Sequence, residues 1–232
     1  MKLITIINNA MYHLLGIRLT KSAPSSFREM RESIVYAKDY FGNKEIVVVE
    51  IGVLRGDNAL NILENLNVKK LYLIDPYEDY PDYMKITAYR GLNFSKVEKQ
   101  ARAKLGKFQD KIVWIKKRSS DAVGDIPNDI DFIYIDGNHA YEYVREDIHN
   151  YYPKVSRGGI LAGHDIANLS VRGVAKAFCE FVVEYNLEPY ISKTDWWVIK
   201  FPPRSNFRKN SKALTKRWKI NYNSSGMSRA KR

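Results

Sequence analysis

The densest chemistry in this chain lies in Phe132-Ile133-Tyr134-Ile135-Asp136-Gly137-Asn138-His139, which is followed later by Gly159-Ile160-Leu161-Ala162-Gly163-His164-Asp165. In each stretch an apolar run ends in an aspartate, so Asp136 and Asp165 are expected at the tips of two successive strands. Open α/β sheets bind their ligands at such tips. Two carboxylates that converge on one crevice repel each other unless a proton or a cation stands between them. A divalent metal with oxygen ligands would relieve that repulsion and orient a substrate hydroxyl pair. His139 is placed to take the proton of such a hydroxyl, and an ordinary imidazole pKa of ~6.5 suits that task at neutral pH. His164 completes a candidate metal set of Asp136, His164 and Asp165. Hard divalent ions prefer oxygen ligands, so His164 either shifts the metal preference or means that no metal binds. A loop-ordering Asp165 and a buried, hydrogen-bonded His164 are the purely structural alternatives.

A second group could hold a nucleoside. Val49-Glu50-Ile51-Gly52-Val53-Leu54-Arg55-Gly56-Asp57 places a carboxylate at a strand end, then a glycine for a tight turn, then a second glycine ahead of a helix. The spacing is not the G-x-G-x-x-G of dinucleotide folds, in which a helix N-terminus meets a pyrophosphate. A cationic, phosphate-free ligand calls for an acid instead, and Glu50 supplies one. Asp75, in Leu73-Ile74-Asp75-Pro76-Tyr77, is placed at the next strand tip to accept ribose hydroxyls, although an aspartate before proline also starts turns. Ser120 and Asp121, after a further apolar run, either meet a base edge or cap a short helix.

The elements that must position these residues are short apolar runs at 46–51, 71–74, 112–115, 132–135 and 160–162, with two more at 189–191 and 196–199. Near-continuous stretches such as Val47-Val48-Val49 indicate strands buried on both faces. Helical spacing links Ala59, Leu60, Leu63 and Leu66, then Tyr141, Val144 and Ile148, then Val171, Val174, Phe178, Phe181, Val182 and Tyr185. The expected fold class is therefore α/β and Rossmann-like, a seven-stranded, mostly parallel sheet with helices on both faces. Residues 79–100, rich in Tyr and ending in helical pattern, are expected to form a long loop plus a helix that covers the substrate.

Taken together, these residues resemble the class I S-adenosylmethionine-dependent methyltransferases, in particular the small-molecule O-methyltransferase branch that includes macrolide-sugar and cephalosporin-pathway enzymes. The resemblance covers roughly 44–201 and is most specific at 132–141, with Asp147 following, and at 158–165. It implies that Glu50, Gly52, Gly56, Asp75 and Asp136 hold S-adenosylmethionine, with Ser120 and Asp121 near the adenine. It further implies a magnesium ion on Asp136 and Asp165 with His139 as base, and an acceptor that is a small molecule or a glycan. Where the metal-dependent relatives carry an acid or amide beside the second aspartate, this chain has His164.

Length and charge bound the rest. At 232 residues the chain holds one sizeable core, divided by this reading into an N-terminal helical segment (1–43), a methyltransferase domain (44–202) and a basic tail (203–232). The net charge is +12, yet the tail alone carries ten Lys or Arg and no acid, leaving about +2 for the remainder. That tail is expected to be disordered, and it raises contact with an anionic surface as a partner reading. The competing function is a nucleic-acid methyltransferase or RNA-associated protein that uses the tail. Asp75-Pro76-Tyr77 resembles an amino-methyltransferase D-P-P-Y motif, but it follows the wrong strand. A nicotinamide dehydrogenase is disfavoured by the missing glycine fingerprint. The single cysteine, Cys179, sits among aromatic residues and is expected to be a buried core thiol. No apolar run nears the roughly 20 residues of a membrane span, and residues 1–17 lack the pattern of a signal peptide. A cytoplasmic setting is the resulting expectation, and the N-terminal segment leaves open a homo-oligomer.

Overall fold

The computed structural model describes residues 30–78, 91–168 and 172–201. The expectations for the N-terminal segment before residue 30, for 79–90 and for the basic tail lie outside the described residues. No helix among the described residues is long and apolar enough to cross a membrane.

Seven strands form one sheet in the order β3-β2-β1-β4-β5-β7-β6. They are β1 (Ile46–Ile51), β2 (Val68–Ile74), β3 (Ile112–Ile115), β4 (Ile130–Ile135), β5 (Val155–Gly163), β6 (Tyr190–Ser192) and β7 (Asp195–Ile199). The first five run parallel, and β7 pairs antiparallel with both β5 and β6. β2 and β5 begin earlier than their apolar runs. The added residues include Lys69 and Arg157, which are exposed, so these ladders extend past the region that the helices cover.

Among the described residues six α-helices accompany the strands: α1 (Glu32–Phe41), α2 (Asp57–Asn65), α3 (Phe94–Leu105), α4 (Ser119–Ala122), α5 (Tyr141–Tyr151) and α6 (Gly173–Glu184). Strand alternation divides the core into two layers. Ile46, Val48, Phe132, Ile160 and Trp197 pack with α1, α2 and α3. Val49, Ile51, Ile133, Leu161 and Trp196 pack with α5 and α6. The same alternation puts Glu50, Tyr134 and Asp195 on the α1 side, where all three are buried.

Cys179 corrects one expectation, because it is exposed on α6. Phe178 and Phe181 face the sheet, and each helical step turns the side chain by about 100°, which carries Cys179 off the buried stripe. Tyr185 lies just past the end of that helix and is partly exposed, with its ring against Tyr152 and Phe181.

β1 lies between β2 and β4, and the direction of chain progression across the sheet reverses there. A crevice opens at such a reversal, beyond the carboxyl ends of the strands. All the candidate site residues except Ser120 and Asp121, which follow β3, belong to β1, β2, β4, β5 or the turns just beyond their ends.

Candidate functional site

The crevice is a cleft of about 630 Å³, including its open mouth, walled by Gly52, Leu54, Asp75, Glu78, Ser119, Asp136, Asn138 and Asp147 among others. Its floor depends on Gly52. This residue has φ +83°, and a Cβ there would collide with the main-chain carbonyl of Asp136. Only glycine lets the turn after β1 lie against the turn after β4. Gly56 lies at the other end of this turn. It starts α2 at φ +72° and faces Leu105 and Ala101 of α3, and it is not among the residues that wall the cleft.

Asp75 braces the same turn. Its Oδ2 accepts the backbone N–H groups of Val53 and Leu54, each at 2.9 Å, and its Oδ1 accepts that of Tyr77 at 2.8 Å. Leu54 and Tyr77 both have positive φ, a conformation that costs energy for non-glycine residues and persists where surroundings enforce it. Burial raises the Asp75 carboxyl above its ordinary range, against the lowering effect of these three bonds. The carboxylate shapes the loop and also borders the cleft.

Glu50 lies deeper, on the α1 side of β1. Its Oε1 accepts from Asn58 Nδ2 at 3.1 Å, while Oε2 is buried without a partner. Burial pushes its carboxyl up to about 8, and the bond from Asn58 tempers that rise. After β3, Ser119 stands in the cleft wall, whereas Ser120 and Asp121 are exposed. Asp121 instead borders an open shelf with Lys116, Lys117 and Arg118. Ser119 bonds to Asp147, a carboxylate of α5 that burial pushes up to about 7.

Several buried polar atoms around this cleft have no partner among the described residues: Glu50 Oε2, Asp147 Oδ1 and Asn138 Nδ2. Buried polar groups are rarely left so, and these atoms call for a partner such as a water or a ligand. An acid beside each of the first two turns and a glycine cradle fit a cationic nucleoside such as S-adenosylmethionine.

From Asp136 in the cleft wall the site continues to His139 and Asp165, the three each offering a ligand atom within 4.8 Å of the others. His139 Nε2 lies 3.3 Å from Asp136 Oδ1 and 3.2 Å from Asp165 Oδ2. A carboxylate can only accept, so in the neutral ring Nε2 carries the proton and Nδ1 the lone pair. Burial disfavours the imidazolium, but the bond to Asp136 and the charges of Asp136 and Asp165 outweigh it and raise the His139 pKa. Asp165 takes a left-handed φ of +60° at the end of β5. Burial opposes its ionisation, yet His164, His139 and Asn168 together hold its carboxyl down to about 2. His164 has both nitrogens engaged, with Nε2 2.8 Å from Thr194 Oγ1 and Nδ1 3.3 Å from Asp165 Oδ1.

A residue that sequence reasoning missed completes this group. Arg31, just ahead of α1, brings Nη2 to 3.4 Å from Asp136 Oδ2 and Nη1 to 4.0 Å from Asp195 Oδ1. Asp195 in turn accepts from Ser33 N and Ser33 Oγ at 3.0 and 2.6 Å, and from Tyr134 Oη at 3.2 Å. Alternation along β7 indicates which face Asp195 shares, but nothing in the sequence around Arg31 tells which acid it meets.

This set fits magnesium poorly. Magnesium takes oxygen ligands in an octahedron and keeps several waters. Here the third group is an imidazole whose Nε2–H fills the gap between the two carboxylates, and a guanidinium already adjoins Asp136.

Comparison with known proteins agrees with this geometry. A family described as a methyltransferase domain matches residues 49–166, half of the chain. An uncharacterized protein of Acanthamoeba polyphaga mimivirus is 28% identical over 133 residues, covering 54% of this chain and 53% of its own length. The match therefore spans about half of that curated relative. Among solved structures, the O-methyltransferase NovP aligns with a TM-score of 0.56 at 19% identity, covering 73% of this chain and 78% of NovP. An O-methyltransferase from Bacillus cereus, in complex with SAH, aligns at 0.53 and 13%, covering 86% of this chain and 99% of that one. At such identities the structural likeness speaks for the fold. The chain belongs to the methyltransferase-domain family and has the Rossmann-like fold of the class I S-adenosylmethionine-dependent methyltransferases.

Proposed function

We propose that this protein transfers a methyl group from S-adenosylmethionine to a hydroxyl of a small molecule or sugar. One observation carries the reading: His139 bridges two strand-tip carboxylates, one of which, Asp136, also walls the cleft. When bound, S-adenosylmethionine supplies a methyl group already activated by its positive sulfur. The protein's own work is then to place a hydroxyl and remove its proton.

Asp136 and Asp165 fix the tautomer of His139 and orient the ring, leaving Nδ1 to accept the hydroxyl proton. The same carboxylates stabilise the imidazolium that results. Holding the reactants in line contributes most of the acceleration in a displacement of this kind. No step in this reading needs a divalent ion. The O-methyltransferase neighbours support a hydroxyl acceptor by analogy of fold.

The test is calorimetry with S-adenosylmethionine, followed by transfer of labelled methyl to sugar-nucleotide and glycan acceptors. Micromolar binding and label in the acceptor are expected; absence of cofactor binding removes the proposal. A second reading rests on the ten basic residues of 203–232, which suit a nucleic acid or another anionic surface. Deleting that stretch separates the two. A nucleic-acid enzyme loses salt-sensitive affinity, whereas a sugar enzyme barely changes.

A further inference from the structure

The acceptor end of the site gathers more acid than base. Asp136, Asp165 and Asp195 all approach it, and Glu50 lies on the same side of the sheet as Asp195. His139 and His164 stand among these acids, and among the described residues Arg31 is the side chain of fixed positive charge paired with them. Its side chain retains 28% exposure, against 18% for Asp136 and 2% for Asp195, so the group is half-withdrawn from solvent rather than free on the surface.

Its position is built, not incidental. Two residues on, Ser33 is held by Asp195 through both its N–H and its hydroxyl. Tyr36, a turn further along α1, packs its ring 5.1 Å from that of Trp197. The start of α1 is thereby clamped to β7, and the guanidinium is delivered to Asp136 from a fixed backbone. A loose surface arginine would pay side-chain entropy to hold such a contact; the clamp removes most of the backbone part of that cost.

We propose that Arg31 is the resident cation of the acceptor end, supplying the positive charge that a divalent ion would otherwise supply and keeping such ions out. The inference rests on the reading of Asp136, His139 and Asp165 as the acceptor end, and it deepens that reading by making the site self-neutralised. An ion centred on these three residues would coordinate a carboxylate whose other oxygen already faces a guanidinium. Like charges at that separation repel strongly away from bulk water. Arg31 is a positioning residue: it acts through Asp136 and sets the charge that the two carboxylates present to His139.

The experiment measures Mn²⁺ binding to the full chain by electron paramagnetic resonance of the free ion, without cofactor, so that it can fail independently of methyl transfer. Wild type is expected to bind Mn²⁺ weakly. Arg31→Met should bind it roughly tenfold or more tightly, since groups around a metal site commonly shift affinity by 10–100-fold. Arg31→Lys, which keeps the charge, should behave like wild type, and adding Asp136→Asn to Arg31→Met should abolish the gain. Arg31→Gln provides the same comparison should the Met variant fold poorly. Unchanged or weaker Mn²⁺ binding in the neutral variants overturns the proposal, as does tight stoichiometric binding by wild type.

Discussion

Ser33 Oγ donates to Asp195 Oδ2 at 2.6 Å, joining the start of α1 to the start of β7 across 162 residues of chain. The same oxygen accepts Ser33 N–H, and the other accepts Tyr134 Oη, so one buried carboxylate satisfies three donors. Asp195→Ala strands all three. Each buried donor left unpaired costs about 1–3 kcal/mol, so a loss of about 3 kcal/mol or more in urea unfolding is expected. Ser33→Ala removes one donor and should cost about 1 kcal/mol. Equal effects of the two substitutions would show that the network is not shared in this way.

Gly52 makes the second prediction. Alanine there must hold a left-handed φ of +83° and push its Cβ into the carbonyl of Asp136. The first demand alone costs about 1–3 kcal/mol, and the second separates the β1 and β4 turns that form the cleft floor. Gly52→Ala should unfold at lower denaturant and bind S-adenosylhomocysteine at least about tenfold more weakly by calorimetry, a loss near 1.4 kcal/mol. Gly56→Ala is strained by its φ of +72° but meets only side-chain atoms of Leu105 and Ala101, the nearest at 3.1 Å. It should lose stability while keeping more of its cofactor affinity. Equal binding losses would place Gly56 at the ligand after all.

The contrast between the glycines shows what the sequence could reveal. Strand runs, the order of helices and the acids at strand tips are local signals, since burial on two faces forces continuous apolar stretches. The seven strands follow from them. Which face a residue takes is also legible: alternation from Val48 gives Glu50, and alternation from Trp197 gives Asp195. What covers that face is not. Arg31 and Ser33 sit in a polar stretch with no distinctive spacing, and their partners are fixed by the docking of Tyr36 on Trp197, a contact remote in sequence. Ser119, not Ser120, reaches the cleft for a similar reason. Position after a strand names the neighbourhood, but the first turn of α4 decides which side chain faces in. Cys179 shows the limit in the other direction, where aromatic neighbours in sequence were a poor guide to burial because a helix rotates adjacent residues apart.

Asp147 gives stability a pH dependence. Burial pushes its carboxyl up to about 7 in the folded state, whereas an unfolded chain leaves it near ~3.9. Between those values the native protein binds a proton that the unfolded one has released, so stability falls as pH rises through that window and levels off above it. Below pH ~4 both states are protonated and the penalty vanishes. Asp147→Asn mimics the protonated form at every pH. Melting of wild type and Asp147→Asn is expected to be most alike near pH ~4, with the variant increasingly the more stable toward pH ~7 and the difference level above that. A difference that stays flat across that range would mean that the buried carboxylate keeps its charge through partners such as Ser119.

His139 offers the sharpest separation of binding from chemistry. Its Nε2–H is shared between Asp136 and Asp165, which leaves Nδ1 as the proton acceptor. His139→Asn fills part of the same space but has no basic nitrogen. Loss of a general base typically costs 10²–10⁴-fold in rate, so kcat for labelled methyl transfer should fall by about that much while cofactor affinity in calorimetry stays nearly unchanged. Asp165→Asn should fall less, because Asp136 still fixes the tautomer from the other side. The ordering matters more than either magnitude. If Asp165→Asn were the more severely impaired of the two, the proton would have to leave through Asp165, and His139 would be only its hydrogen-bonding support.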